Sequence, residues 1–144
     1  LYFDYLEIIV NFNDIVITFI HGETYGLGHW GEAFAAKFLE NKGYTICERD
    51  WHYGKRDIDI IAFNPQHNIL VFVEVKTRAD ETITHPTQAV DKRKIKNIAI
   101  AANSYVKERK ISYELRFDII SVIGHNEHNA KIEHIEDAFN PMLI

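Results

Sequence analysis

The chain has a single cysteine, Cys47, in 144 residues. No intramolecular disulfide can form, and a reducing location, the cytoplasm, is expected. No Cys/His cluster has zinc-finger spacing. No apolar run is long enough to span a bilayer: the nearest, Leu6–Ile20, is broken by Glu7, Asn11, Asn13 and Asp14. Residues 1–24 contain no Lys or Arg and so lack the basic region of a signal peptide. No membrane partner is expected. Internal repeats and low-complexity segments are also missing. Residues 1–24 read as an N-terminal extension, either an added strand pair or a start foreign to the native protein. Residues 25–144 read as one domain.

A net positive charge is lacking too. The formal net charge is −5, which argues weakly against a nucleic-acid partner, but the distribution matters more than the sum. Without residues 1–24 the balance falls to −1. Lys76 to Lys110 carries +5, and Asp118 to the end holds five acids and one base. A basic surface can therefore exist on an acidic protein. Hydrophobic residues at 47% and charged residues at 26% are ordinary for a globular domain.

The apolar spacing predicts a first helix over about His29–Lys42, with stripes Trp30/Phe34/Phe38 and Ala35/Ala36/Leu39, and Gly43 closing it. Glu32 falls at the centre of the second stripe, not on the wet face. Strands are predicted over Tyr44–Tyr53, Arg56–Phe63 and Ile69–Lys76, joined by turns at Gly54-Lys55 and Asn64–Asn68. Such short turns make an antiparallel meander. Ile69–Val73 is apolar on both faces, as in a strand covered on both sides. A polar loop over Thr77–Pro86 leads to a long helix over about Thr87–Glu108. One face of it carries Ile95, Ile98, Ala102 and Tyr105, and the other Lys92, Arg93, Lys94 and Lys96. Strands over Leu115–Ile123 and Lys131–Ile135 complete an α/β or α+β layer fold.

Two of these strands end in charge where the pattern predicts core. In Asp57-Ile58-Asp59 and in Glu74-Val75-Lys76, residues two apart share a face. If the two strands pair through the turn near Pro65, Asp59, Glu74 and Lys76 meet, with Asp57 nearby. Mg²⁺ or Mn²⁺ is commonly held by one or two carboxylates plus water and substrate phosphate. Such an ion polarises a phosphoryl oxygen and acidifies a bound water. Lys76 would position or deprotonate the attacking water, or stabilise developing charge. Glu32 reaches the same place if its stripe packs on the sheet. Glu-x-Lys alone is a common tripeptide and more often an ion pair at a strand end; the added Asp59 and Glu32 raise its weight.

The order Gly28-x-x-Gly31-Glu32-x-x-Ala35, Gly43-Tyr44, Asp57-Ile58-Asp59-Ile60-Ile61 and Val71-Phe72-Val73-Glu74-Val75-Lys76-Thr77-Arg78 resembles the YraN-like family of predicted endonucleases. Val90-x-x-x-Lys94 and Arg116-Phe117-Asp118 continue the match, which covers most of the chain from Leu27 to Pro141. The resemblance implies the PD-(D/E)XK nuclease superfamily, similar to archaeal Holliday junction resolvases, and a restriction-endonuclease-like core. That core is an α/β fold with a central mixed sheet, an antiparallel three-strand meander plus further strands, flanked by helices. It implies Asp59 and Glu74 as metal ligands, with Glu32 joining them and Lys76 as the catalytic lysine. Where the family usually carries Gly-Glu, this chain has Arg56-Asp57, which leaves Asp57 a candidate second ligand.

Lys94, Arg78, Lys92, Arg93 and Lys96 are candidate phosphate contacts, against the plainer reading of a solvated helix face. Gln88 reads as a surface or capping residue. His125, His128 and His134 lie near the end, and His125-x-x-His128 reads as exposed loop and not as a metal site. Trp51 and Tyr53 suit base stacking or packing on the sheet. Arg116 and Asp118 suit an ion pair. The function expected is a metal-dependent endonuclease that hydrolyses phosphodiester bonds in DNA, with branched or structured DNA among the candidate substrates and, for such a symmetric substrate, a homodimer. The competing expectation is a non-catalytic nucleic-acid-binding or assembly module; an RNA or nucleotide substrate is a third.

Overall fold

The computed structural model describes residues 4–10, 15–21, 27–79 and 91–141. Strands β1 (Asp4–Val10) and β2 (Ile15–His21) pair antiparallel, from Asp4↔His21 to Val10↔Ile15, as a separate two-stranded sheet. The strand-pair reading of this segment matches its backbone.

Helix α1 spans Leu27–Asn41. It ends where Gly43 takes φ +93, a conformation that costs a residue without Cβ little. Phe34, Ala35, Ala36 and Leu39 are all buried, so the expected stripes face the core.

Strands β3 (Thr45–Tyr53), β4 (Arg56–Asn64) and β5 (Ile69–Arg78) form the expected antiparallel meander. It is the first part of a five-stranded mixed sheet in the order β3-β4-β5-β6-β7. Strand β6 (Glu114–Ile123) runs parallel to β5, and β7 (Lys131–Ile135) runs antiparallel to β6. A parallel pair needs a long crossover, and helix α2 (Lys92–Glu108) lies within it. Asp91 caps α2, its Oδ1 accepting the Lys94 N–H at 2.8 Å, a strong helix-start signal. The helix turns expected before it, Thr87–Val90 with Gln88, lie outside the described residues. Thr77 and Arg78 are strand, not loop, because β6 pairs with them as far as Arg78↔Ile123.

The sheet is covered on both faces. On the α1 side Phe34, Leu39, Tyr44, Ile60, Ala62, Val71, Val73, Val75, Ile120 and Val122 form one buried cluster. On the α2 side Ile58, Ile61, Leu70, Phe72, Ala101, Ala102 and Tyr105 form the other. Strand β5 feeds both in alternation, which accounts for its continuous apolar run. Phe72 is fully buried, and burial of such a side chain contributes roughly 1.5–3 kcal/mol. Among the described residues, no helix is long and apolar enough to cross a membrane.

Candidate active site

The site forms where the sheet splits. The β4–β5 ladder runs from Asn64↔Ile69 to Ile60↔Val73 and stops, while β4 stays paired with β3 to Tyr53↔Arg56. Ile60 packs in the α1-side cluster and Ile58 in the α2-side cluster, so side-chain alternation slips by a residue between them. Asp50, between the Arg49↔Ile60 and Trp51↔Ile58 pairs, has φ +47, an uncommon left-handed conformation inside a strand. Asp59 sits at the slip. Its Oδ2 accepts the Val75 N–H at 2.7 Å and so takes a β5 donor beyond the end of the ladder.

Asp59 and Glu74 are 7% and 4% exposed. Lys76 Nζ lies 3.4 Å from Glu74 Oε1. Lys94 Nζ lies 3.4 Å from Asp57 Oδ1 and 3.6 Å from Glu74 Oε2. The structure therefore brings Asp57, Asp59, Glu74, Lys76 and Lys94 together. Glu32 approaches from α1. This close approach depends on Gly31, where a Cβ would fall 1.9 Å from Thr77 Oγ1.

The cluster holds more negative charge than its surroundings solvate. Burial, then the Asp59 charge, pushes the Glu74 carboxyl from 4.5 up to about 7. Burial also raises Asp59, against the Val75 N–H and the Lys94 charge. Burial, followed by the charges of Asp59 and Asp50, carries Glu32 to about 7. Burial alone would lower Lys94, but Glu74, Asp57 and Asp59 outweigh it and hold the ammonium above its ordinary value. Glu74 Oε2 is buried and, among the described residues, accepts no hydrogen bond.

A hard divalent cation fits this donor set. Buried carboxylates with raised pKa values and an oxygen lacking a hydrogen bond are the groups such an ion would satisfy. Among the described residues, no three His, Cys, Asp or Glu side chains converge as ligands. Glu32 and Asp57 therefore complete no triad with Asp59 and Glu74. The fit is to an ion held by these two carboxylates, with water and phosphate filling the remaining positions.

Of the other basic candidates, Lys92, Arg93 and Lys96 are exposed. They line an open groove of about 570 Å³ with Ala99, Ile100, Asn103 and Pro141. Lys94 stands apart from them, turned into the carboxylates. Arg78 is partly buried at the end of β5, its carbonyl accepting the Gly124 N–H at 2.8 Å. Trp51 packs edge-on against Tyr105, with centroids 5.1 Å apart, whereas Tyr53 is exposed. His125 and His128 are exposed, as their loop composition suggests.

A second charged network lies on the α1 face of β6. Arg116 donates to both oxygens of Asp118 at 2.8 Å and to Tyr44 OH at 2.7 Å. His134 Nε2 lies 2.7 Å from Asp118 Oδ2, and Lys42 Nζ lies 2.8 Å from His134 Nδ1. An ammonium can only donate, so Nδ1 accepts and Nε2–H donates to Asp118. The expected Arg116–Asp118 pair is present. The part of His134 was missed, although Ile132 and His134 share a strand face, and that alternation marks it as inward.

The family described as uncharacterised protein family UPF0102 matches residues 31–122. A UPF0102 protein of Bacteroides thetaiotaomicron is 46% identical over 118 residues, covering 82% of this chain and 95% of that protein. UPF0102 protein FP2501 of Flavobacterium psychrophilum is 45% identical over 113 residues, covering 78% and 92%. A UPF0102 protein of Porphyromonas gingivalis is 42% identical over 118 residues, covering 81% and 85%. The match takes in Glu32, Asp59, Glu74, Lys76 and Lys94, and the chain belongs to the UPF0102, or YraN-like, family.

Proposed function

We propose that this chain is a metal-dependent endonuclease hydrolysing phosphodiester bonds in DNA, on a restriction-endonuclease-like core of the PD-(D/E)XK type. The observation that carries this reading is the meeting of buried Asp59 and Glu74 with Lys76 where β4 and β5 part. A bound Mg²⁺ or Mn²⁺ would supply a polarised phosphoryl oxygen and an acidified water. Asp59 and Glu74 would hold that ion. Asp59 is kept in place by the Val75 N–H. Lys76, an ammonium paired with Glu74, suits positioning the attacking water and stabilising charge on the phosphorane oxygens. Lys92, Arg93 and Lys96 would take flanking phosphates, and binding would then weaken steeply with salt. Branched DNA is the preferred substrate on this reading, cut by a symmetric dimer.

The test is incubation with supercoiled plasmid, linear duplex, single strand and a four-way junction, with Mg²⁺, Mn²⁺ or EDTA. Asp59→Ala and Lys76→Ala should each cut cleavage by roughly 100-fold or more and leave the circular dichroism spectrum unchanged. Cleavage by both variants at the wild-type rate would remove the site assignment. Metal-independent binding without cleavage of any substrate would favour the non-catalytic nucleic-acid-binding module.

A further inference from the structure

Lys94 contacts two carboxylates at once. Its ammonium lies 3.4 Å from Asp57 Oδ1 and 3.6 Å from Glu74 Oε2. Lys76 engages the other oxygen of Glu74 from one side. The ammonium of Lys94 thus spans the gap between two acids from the same strand pair. At 3.6 Å the contact with Oε2 is charge pairing and not a hydrogen bond, and among the described residues no hydrogen bond reaches that buried oxygen. Glu74 is only 4% exposed, so an oxygen matched by charge alone is one that a closer cation would satisfy better.

We propose that Lys94 is a resident counter-ion: its ammonium bridges Asp57 and Glu74, and a divalent ion taken up by Glu74 and Asp59 displaces it from Glu74 and releases it toward the basic turn of α2. The inference rests on the reading of Glu74 as a metal ligand and adds a second state to it. The Lys94 side chain is 27% exposed and projects from the first turn of α2, whose backbone is fixed by the Asp91 cap. The flexible lysine stem can therefore swing while the helix stays in place. Lys92, Arg93 and Lys96 on the same turns are exposed. The freed ammonium adds a fourth positive charge to that surface, and its natural partner is a phosphate of a polyanion. Metal and polyanion then strengthen each other's binding through one side chain, by the same factor in each direction.

The test uses the full chain. Wild-type protein receives a short pulse of an acetylating reagent in EDTA and in Mn²⁺, and the labelling of Lys94, Lys92 and Lys96 is read by peptide mass spectrometry. Mn²⁺ affinity is measured by calorimetry for wild type and Lys94→Met. Lys94 labelling should rise severalfold with Mn²⁺ while Lys92 and Lys96 stay constant. Lys94→Met should bind Mn²⁺ about tenfold more tightly, as expected when one charge of a partly solvated cluster is removed. Charge repulsion alone would give the tighter binding, so the labelling decides whether the side chain moves. Mn²⁺ binding to wild type with unchanged Lys94 labelling would overturn the counter-ion role and leave the metal site standing. No Mn²⁺ binding by either protein would overturn both.

Discussion

At the scale of single residues, Glu74 is a buried carboxyl set among other charges. Its carboxyl is carried from 4.5 to about 7 by burial and by Asp59. A carboxyl raised by folding stabilises the folded state while protonated, and that stabilisation disappears as pH climbs through the folded value. In EDTA, the melting temperature should therefore fall between about pH 5 and pH 7 as Glu74 ionises. Glu74→Gln should flatten this slope and raise Tm at pH 7, on the order of 2–4 °C for each kcal/mol of relieved repulsion. An unchanged pH profile in the variant, followed by differential scanning fluorimetry, would mean that Glu32, carried to the same value of about 7, sets the slope instead. Divalent metal should restore wild-type Tm at neutral pH and do nothing for the variant. The identities of Asp59, Glu74 and Lys76 were legible in the sequence, because charged residues interrupt strands that otherwise read as core. The placement of Lys94 was not. Helical spacing put it beside Lys92, Arg93 and Lys96, and only the docking of α2 against the split between β4 and β5 turns it to the acids.

At the scale of elements, the site depends on how closely α1 meets the end of β5. Gly31 packs against Thr77 with no room for a methyl group: an added Cβ would lie 1.9 Å from Oγ1 and 3.0 Å from Cβ. Gly31→Ala favours helix intrinsically by up to about 1 kcal/mol, but overpacking of this kind costs roughly 1–3 kcal/mol. The clash should win. The helix should shift outward, taking Glu32 away from Asp59. Urea unfolding should show net destabilisation, and Gly31→Ala/Thr77→Ala should recover part of the loss, because the second change removes the nearest atom. Equal losses in the single and double variants would exclude the clash as the cause. The long elements were readable from periodicity and turn residues, except that α2 begins at Lys92 behind its Asp91 cap and not at Thr87. Strand β5 was read too short, since its last residues, Thr77 and Arg78, are held by the parallel partner β6. No local pattern announces a partner so far downstream. The slip between Ile58 and Ile60 was equally hidden, because period-two counting assumes an unbroken pleat.

At the scale of the molecule, charge is divided between a strained site and a satisfied network. Around Asp118 every oxygen has a donor: Arg116, His134 and the Asp137 N–H at 3.0 Å. Burial would raise the Asp118 carboxyl, but these donors outweigh it and hold the group below its ordinary value of 3.8. The network joins β6 to β7 through His134 and to the end of α1 through Tyr44 and Lys42. It lies on the sheet face opposite Phe72 and the α2 cluster. Its work is therefore to hold layers together, and its pH dependence has the opposite sign to that of Glu74. A carboxyl lowered by folding stabilises above its unfolded pKa, and the gain is lost as pH falls through 3.8 toward the folded value. Asp118→Asn removes the bidentate carboxylate partner of the Arg116 guanidinium, only 14% exposed, and leaves it the exposed Glu136 at 3.6 Å; breaking such a buried pair costs on the order of 3 kcal/mol. The variant should unfold at lower urea near neutral pH, with the difference from wild type shrinking as pH drops below about 4. Mn²⁺ affinity at low temperature should be unchanged, since no atom of this network touches Asp59 or Glu74. A variant as stable as wild type at neutral pH would show that Glu136 and the introduced amide satisfy Arg116 as well as the carboxylate does. Loss of Mn²⁺ binding from a folded Asp118→Asn protein would instead make the two charged clusters a single unit.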